Sequence, residues 1–141
     1  MAWQPHGRRQ ADDYLETIKG IREAVRASVP PGAKVLVVSK GDEELVRFDG
    51  RPGAHFPQVA GGVYAGHHPA DSQEAIAALE EQMSAGAEFL VIPRTALWWL
   101  EHYAGFRMHL ERGGAVARTD ACVIFHLEAR MAESQARNLV N

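Results

Sequence analysis

An α/β fold, arranged as a small Rossmann-like three-layer sandwich, is what these 141 residues predict. Three observations carry the expectation. The runs Val35-Leu36-Val37-Val38 and Phe89-Leu90-Val91-Ile92 show no polar alternation, so each reads as a strand buried on both faces, as in a parallel sheet. Segments with apolar residues at helical spacing alternate with them. Two short apolar runs then close the sequence, joined by so short a link that they must pair antiparallel. The expected sheet is mostly parallel, with a C-terminal antiparallel strand pair and helices on both faces.

The elements follow in order. Residues 1–10 are polar and read as a loose N-terminal segment, 11–127 as a single α/β domain, and 128–141 as a polar C-terminal tail. Tyr14, Ile18, Ile21 and Val25 form one apolar stripe, which predicts a helix over 13–28. Asp13 followed by Glu16 fits a capping pattern, and Pro30-Pro31-Gly32 stops the helix. Gly20 inside it costs about 1 kcal/mol relative to alanine. A strand over 34–39 follows, with Lys40-Gly41-Asp42 turning beyond its carboxyl end. Residues 44–48 read as a short strand, and Asp49-Gly50 as the hairpin turn leading to Ala54-His55-Phe56. The stretch 57–69, with three glycines and two histidines, reads as an exposed irregular loop.

A second helix is expected over 71–84, capped by Asp71 with Glu74, striped by Ile76, Leu79 and Met83, and closed by Gly86. A strand over 88–92 ends at Pro93, and Thr95 is the expected N-cap of a third helix reaching residue 110. Strands over 115–118 and 122–127, linked through Thr119-Asp120-Ala121, complete the sheet. Right-handed crossovers place the strands of Val35 and Leu90 side by side or one apart.

Composition excludes several classes of function. The net charge is -3 and basic residues interleave with acidic ones, so no nucleic-acid partner is expected. Apolar stretches fall far short of the roughly 20 residues that span a bilayer, so no membrane partner is expected either. The single cysteine, Cys122, forms no internal disulfide, which with the absence of a signal-like start points to a cytoplasmic location. No G-x-G-x-x-G, no G-x-x-x-x-G-K-[ST] and no G-x-S-x-G occurs, which disfavours the common dinucleotide, nucleotide-triphosphate and serine-hydrolase chemistries. Cys122 opens an apolar strand without a basic neighbour and reads as a core thiol. His55, His67 and His68 lack a metal-binding spacing, so no metal site and no cofactor are expected.

In open α/β sheets, ligands bind beyond the carboxyl ends of the parallel strands. There the sequence places Lys40 and Asp42 after the first strand and Arg94 and Thr95 after the second, with His67 and His68 on the neighbouring loop. These six are the candidate ligand-binding residues, the cations to hold an anion and the histidines for polar contact at the rim. No catalytic residue is assigned. In Trp98-Trp99 the side chains diverge by about 100° on a helix. One therefore packs inward with Leu97, Leu100 and Tyr103, and the other is left to a subunit interface or a sugar-stacking platform. A homodimer through this helix is expected.

The blocks Val35-Leu36-Val37-Val38-Ser39-Lys40-Gly41-Asp42, His55-Phe56-Pro57, Tyr64-Ala65-Gly66-His67-His68-Pro69-Ala70-Asp71-Ser72 and Trp98-Trp99-Leu100-Glu101-His102-Tyr103 resemble a poorly characterised bacterial domain. That domain stands beside glycosyltransferase or methyltransferase domains in proteins of surface-polysaccharide and natural-product pathways. The resemblance spans residues 34–127 and implies a link to sugar chemistry. The expected function is accordingly a small-molecule-binding or accessory module for a sugar, nucleotide-sugar or other anionic ligand. The alternatives are a homo-oligomeric assembly domain without a ligand, and a small enzyme using His67 or His68 with Asp42 as acid and base.

Overall fold

The structure, a computed structural model, describes residues 5–127. Its elements are α1 (Pro5–Ser28), β1 (Lys34–Val37), β2 (Gly53–His55), β3 (Gln58–Val59), β4 (Val63–Tyr64), α2 (Ser72–Ser84), β5 (Ala87–Pro93), α3 (Trp98–His102), α4 (Ala104–Glu111), β6 (Ala115–Arg118) and β7 (Cys122–His126). Five strands form one sheet in the order β2-β1-β5-β7-β6, and β3 pairs with β4 in a separate small hairpin. The predicted polar tail over 128–141 lies outside the described residues.

The sheet is mixed. β1 pairs parallel with both β2 and β5, whereas β7 pairs antiparallel with both β5 and β6. The expected C-terminal antiparallel pair is present, and the strands of Val35 and Leu90 are direct neighbours. The mostly parallel sheet becomes an even division of pairings, because β7 continues the antiparallel relation across to β5. Val35, Leu36 and Val37 on β1 and Leu90, Val91 and Ile92 on β5 are fully buried, so the non-alternating runs do lie covered on both faces.

Period-two alternation then sorts these side chains into two cores. Val35, Val37, Phe89, Val91 and Ile124 point to the face covered by α1, where they meet Ile18, Ile21, Ala24 and Val25. Leu36, Leu90, Ile92 and Phe125 point to the other face, against Ala75 and Leu79 of α2, Trp99 of α3 and Phe106 and Leu110 of α4. Gly20 is where α1 comes closest to the turn before β7. A Cβ there would stand 2.7 Å from the Ala121 Cβ, which explains why a helix-weakening residue sits mid-helix.

Three local expectations are corrected. First, α1 begins at Pro5, so Asp13 lies within the helix rather than at its cap, and its carbonyl accepts a bond from the Thr17 hydroxyl at 2.8 Å. Second, residues 44–48 form no hairpin strand. Glu43–Val46 is a 3₁₀ turn, capped by the Asp42 side chain accepting from the Glu44 N–H, and β2 runs parallel to β1. The Asp49-Gly50 turn still reverses the chain, with Phe48 bridging to Arg51. Third, Thr95 is not an N-cap. Arg94–Ala96 is a 3₁₀ turn, and the expected third helix breaks into α3 and α4 at Tyr103, whose backbone leaves the helical region at φ -107, ψ 75. At the break the Tyr103 side chain is buried, and its hydroxyl donates to the Pro69 carbonyl at 2.6 Å. By contrast, α2 starts as expected, with Asp71 accepting from the Glu74 N–H at 2.9 Å. No described helix is long and apolar enough to cross a membrane.

Candidate functional site at the carboxyl ends of β1 and β5

The turn after β1 is held in an uncommon backbone shape. Lys40 is the one non-glycine residue with positive φ, at 53°, among the described residues, and Gly41 follows at 84°. A side chain in this left-handed region costs about 1–2 kcal/mol, so its surroundings must impose it. They do so through a chain of hydrogen bonds that runs from the buried Ser39 to the exposed Glu43. The Glu43 carboxylate can only accept, so Nε2 of His55 carries the proton and donates to it at 3.1 Å. Nδ1 is hydrogen-bonded to the Ser39 hydroxyl, whose oxygen also accepts from the Gly41 N–H at 3.2 Å. The Tyr64 ring packs over Gly41, where an added Cβ would stand 3.1 Å from the ring.

A hydroxyl, an imidazole and a carboxylate in series is also the order of groups in nucleophilic hydrolases. Here Ser39 is only 2% exposed and its oxygen is engaged on both sides, so the series acts as a clamp on the turn. Sequence reasoning missed this clamp. Its one legible signal was a serine and a glycine flanking Lys40 at a strand end.

The six predicted residues divide into groups. Lys40 and Thr95 come together, the ammonium donating to the Thr95 carbonyl at 3.5 Å. Asp42 and Arg94 both face α1. Tyr14 donates to the Asp42 carboxylate at 2.6 Å, and the Arg94 guanidinium donates to the Thr17 hydroxyl at 3.0 Å. Tyr14 and Thr17 lie one helical turn apart, so α1 carries both partners on one side. The Asp42 bond also raises the Tyr14 phenol above its ordinary range, since the proton is held against a carboxylate.

His68 sits against Trp98, with its ring 4.9 Å away in an edge-to-face arrangement. His67 is exposed, with Nδ1 donating to the Ala65 carbonyl at 3.1 Å. No hydrogen bond joins either histidine to Asp42 among the described residues, so the expected acid–base pairing is not assembled. Lys40 and Thr95 thus lie together, His68 stands against Trp98, and Asp42 and Arg94 bond to α1.

The aromatic pair is now resolved. Trp99 is buried among Phe56, Tyr103 and Phe106, while Trp98 is 37% exposed and flanked by His68 and His102. Only Trp98 remains for a ligand or a partner. Cys122 is fully buried, and burial pushes its thiol up to about 11, which removes it as a nucleophile near neutrality. No three His, Cys, Asp or Glu side chains gather as metal ligands among the described residues. A cavity of about 660 Å³ lies elsewhere, between α1 and the crossover from β1 to β2, and sequence reasoning did not foresee it. Comparison of the chain with protein-family models, with curated proteins and with solved structures finds no match.

Proposed function

We propose that the domain binds a small anionic ligand of the sugar-phosphate or nucleotide-sugar class beyond the carboxyl ends of β1 and β5, as a binding or accessory module. One observation carries the reading. Lys40 and Arg94 are two exposed cations at the ends of adjacent parallel strands, and neither has a carboxylate within salt-bridge distance among the described residues. Arg22 and Arg47, by contrast, both pair with Glu44. A left-handed backbone at Lys40 costs stability, and a site that must aim a cation is where such a cost is kept.

The Trp98 face supports the sugar part of the reading, because an exposed indole rimmed by imidazoles suits the apolar face and hydroxyls of a pyranose. The resemblance to a domain found beside glycosyltransferases and methyltransferases favours the same class. Calorimetric titration with a uridine-diphosphate sugar tests the proposal. Lys40→Ala and Arg94→Ala should each weaken binding about tenfold, the effect of one lost charge-assisted bond to phosphate. Absence of binding, or unchanged affinity in both variants, would refute it.

A further inference from the structure

We infer that the cleft between α1 and the crossover from β1 to β2 is a second binding site, built for a soluble small molecule with an anionic head and an apolar body. Its volume of about 660 Å³ lies within the usual span of small-molecule pockets. Lys40, Arg94 and Thr95 do not line it, so it is separate from the strand-end rim.

The lining is one-sided in charge. Arg22, Arg26, Arg47 and Arg51 face only two carboxylates, Glu44 and Asp49. Two of these arginines are framework. Arg51 donates to the Val29, Arg26 and Asp49 carbonyls and so closes the carboxyl end of α1, where a cation is favoured. Arg22 donates to the Glu44 and Arg47 carbonyls and to the Glu44 carboxylate. The other two keep donors in reserve. Arg47 reaches Glu44 at 3.2 Å through one nitrogen, and Arg26 approaches Asp49 no closer than 3.9 Å. Their side chains are 69% and 62% exposed, and a guanidinium in that condition can turn its fork onto a phosphate or carboxylate.

Beneath the guanidinium groups lie Val25, Val46 and Phe48, an apolar floor suited to a ring or short chain. The floor depends on Gly53, where a Cβ would stand 2.0 Å from the Val46 carbonyl oxygen and 3.0 Å from the Phe48 ring. The chain therefore brings the 3₁₀ turn of Glu43–Val46 directly over β2, leaving the open space on the α1 side.

Phenyl phosphate carries both halves of the inferred ligand, and inorganic phosphate and benzyl alcohol carry one each. In calorimetric titrations of the full chain, phenyl phosphate should bind at least tenfold more tightly than either half. Arg26→Ala combined with Arg47→Ala should lower its affinity about tenfold or more. In ¹⁵N-labelled wild-type protein, the amide signals of Phe48 and Gly53 should shift during the titration, a readout that no variant's folding affects. Phenyl phosphate binding no better than inorganic phosphate, full affinity in a folded double variant, or shifts confined to other residues would each overturn the inference.

Discussion

His109 illustrates how a single residue carries information that its sequence context hides. It sits on α4 and is buried to 8% exposure, with Nε2 lacking a hydrogen-bond partner and 4.0 Å from the Glu80 carboxylate. Burial lowers its pKa from the ordinary 6.5 and outweighs the opposing pull of Glu80, while Arg112 pushes in the same direction as burial. The sign of the consequence is fixed by linkage. A folded-state pKa below the unfolded one means that the unfolded chain binds the proton first, so stability is lost as pH falls through and below about 6.5. The melting temperature of the wild type should therefore drop between pH 7.5 and 5.5, and His109→Gln should drop less. Parallel curves for the two proteins would show that the imidazole is not buried in its neutral form.

The strand-end residues were legible for a related reason. Lys40, Asp42, Arg94 and Thr95 follow buried runs, and a buried run fixes where its carboxyl end must lie. Ser39, Glu43 and His55 were not legible as a unit. Their connection depends on β2 pairing parallel to β1, and no spacing in the chain encodes that choice.

At the scale of elements, the strong periodicities held and the weak ones yielded to packing. α2 starts at its expected cap, β5 spans the expected apolar run, and β6 and β7 pair as their short link demands. Residues 44–48 had strand-like composition, yet Leu45 is drawn into the core beneath α1 and the Asp42 side chain caps a 3₁₀ turn instead. The third helix had helical periodicity throughout, yet the backbone leaves the helical region at Tyr103, which is buried and bonded to the Pro69 carbonyl. Beyond that break Gly105 lies so near α2 that a Cβ would stand 3.1 Å from the Ser72 Cβ. Tertiary contact decided both cases, and a local pattern cannot register it.

The firmest element is β1, and it yields the firmest prediction about stability. Val37 is fully buried between β2 and β5 on the α1 face. Val37→Asp places a carboxylate there without a partner, at a cost of several kcal/mol against a typical total of about 5–15 kcal/mol. The variant should lose its cooperative melting transition by circular dichroism. A soluble variant that melts near the wild-type temperature would contradict the central position of β1.

Over the whole molecule, a mixed sheet is covered on both faces, by α1 on one and by α2, α3 and α4 on the other. The parallel strands β2, β1 and β5 bring their carboxyl ends together, with His55 closing β2 and Lys40, Glu43 and Arg94 on the turns beyond β1 and β5. α1 runs along one face and ties this end at Asp42 and Arg94, while its own carboxyl end borders the arginine-lined cleft. One helix thus touches both proposed sites, so a titration must tell them apart residue by residue. The measurement that does so is an amide chemical-shift titration of the ¹⁵N-labelled chain with a uridine-diphosphate sugar. The strand-end site predicts shifts concentrated at Ser39, Lys40, Gly41, Asp42, Arg94 and Ala96, and their loss in a folded Lys40→Ala, Arg94→Ala double variant. A spectrum that does not change, or changes that cluster at Phe48 and Gly53 and persist in the double variant, would contradict it.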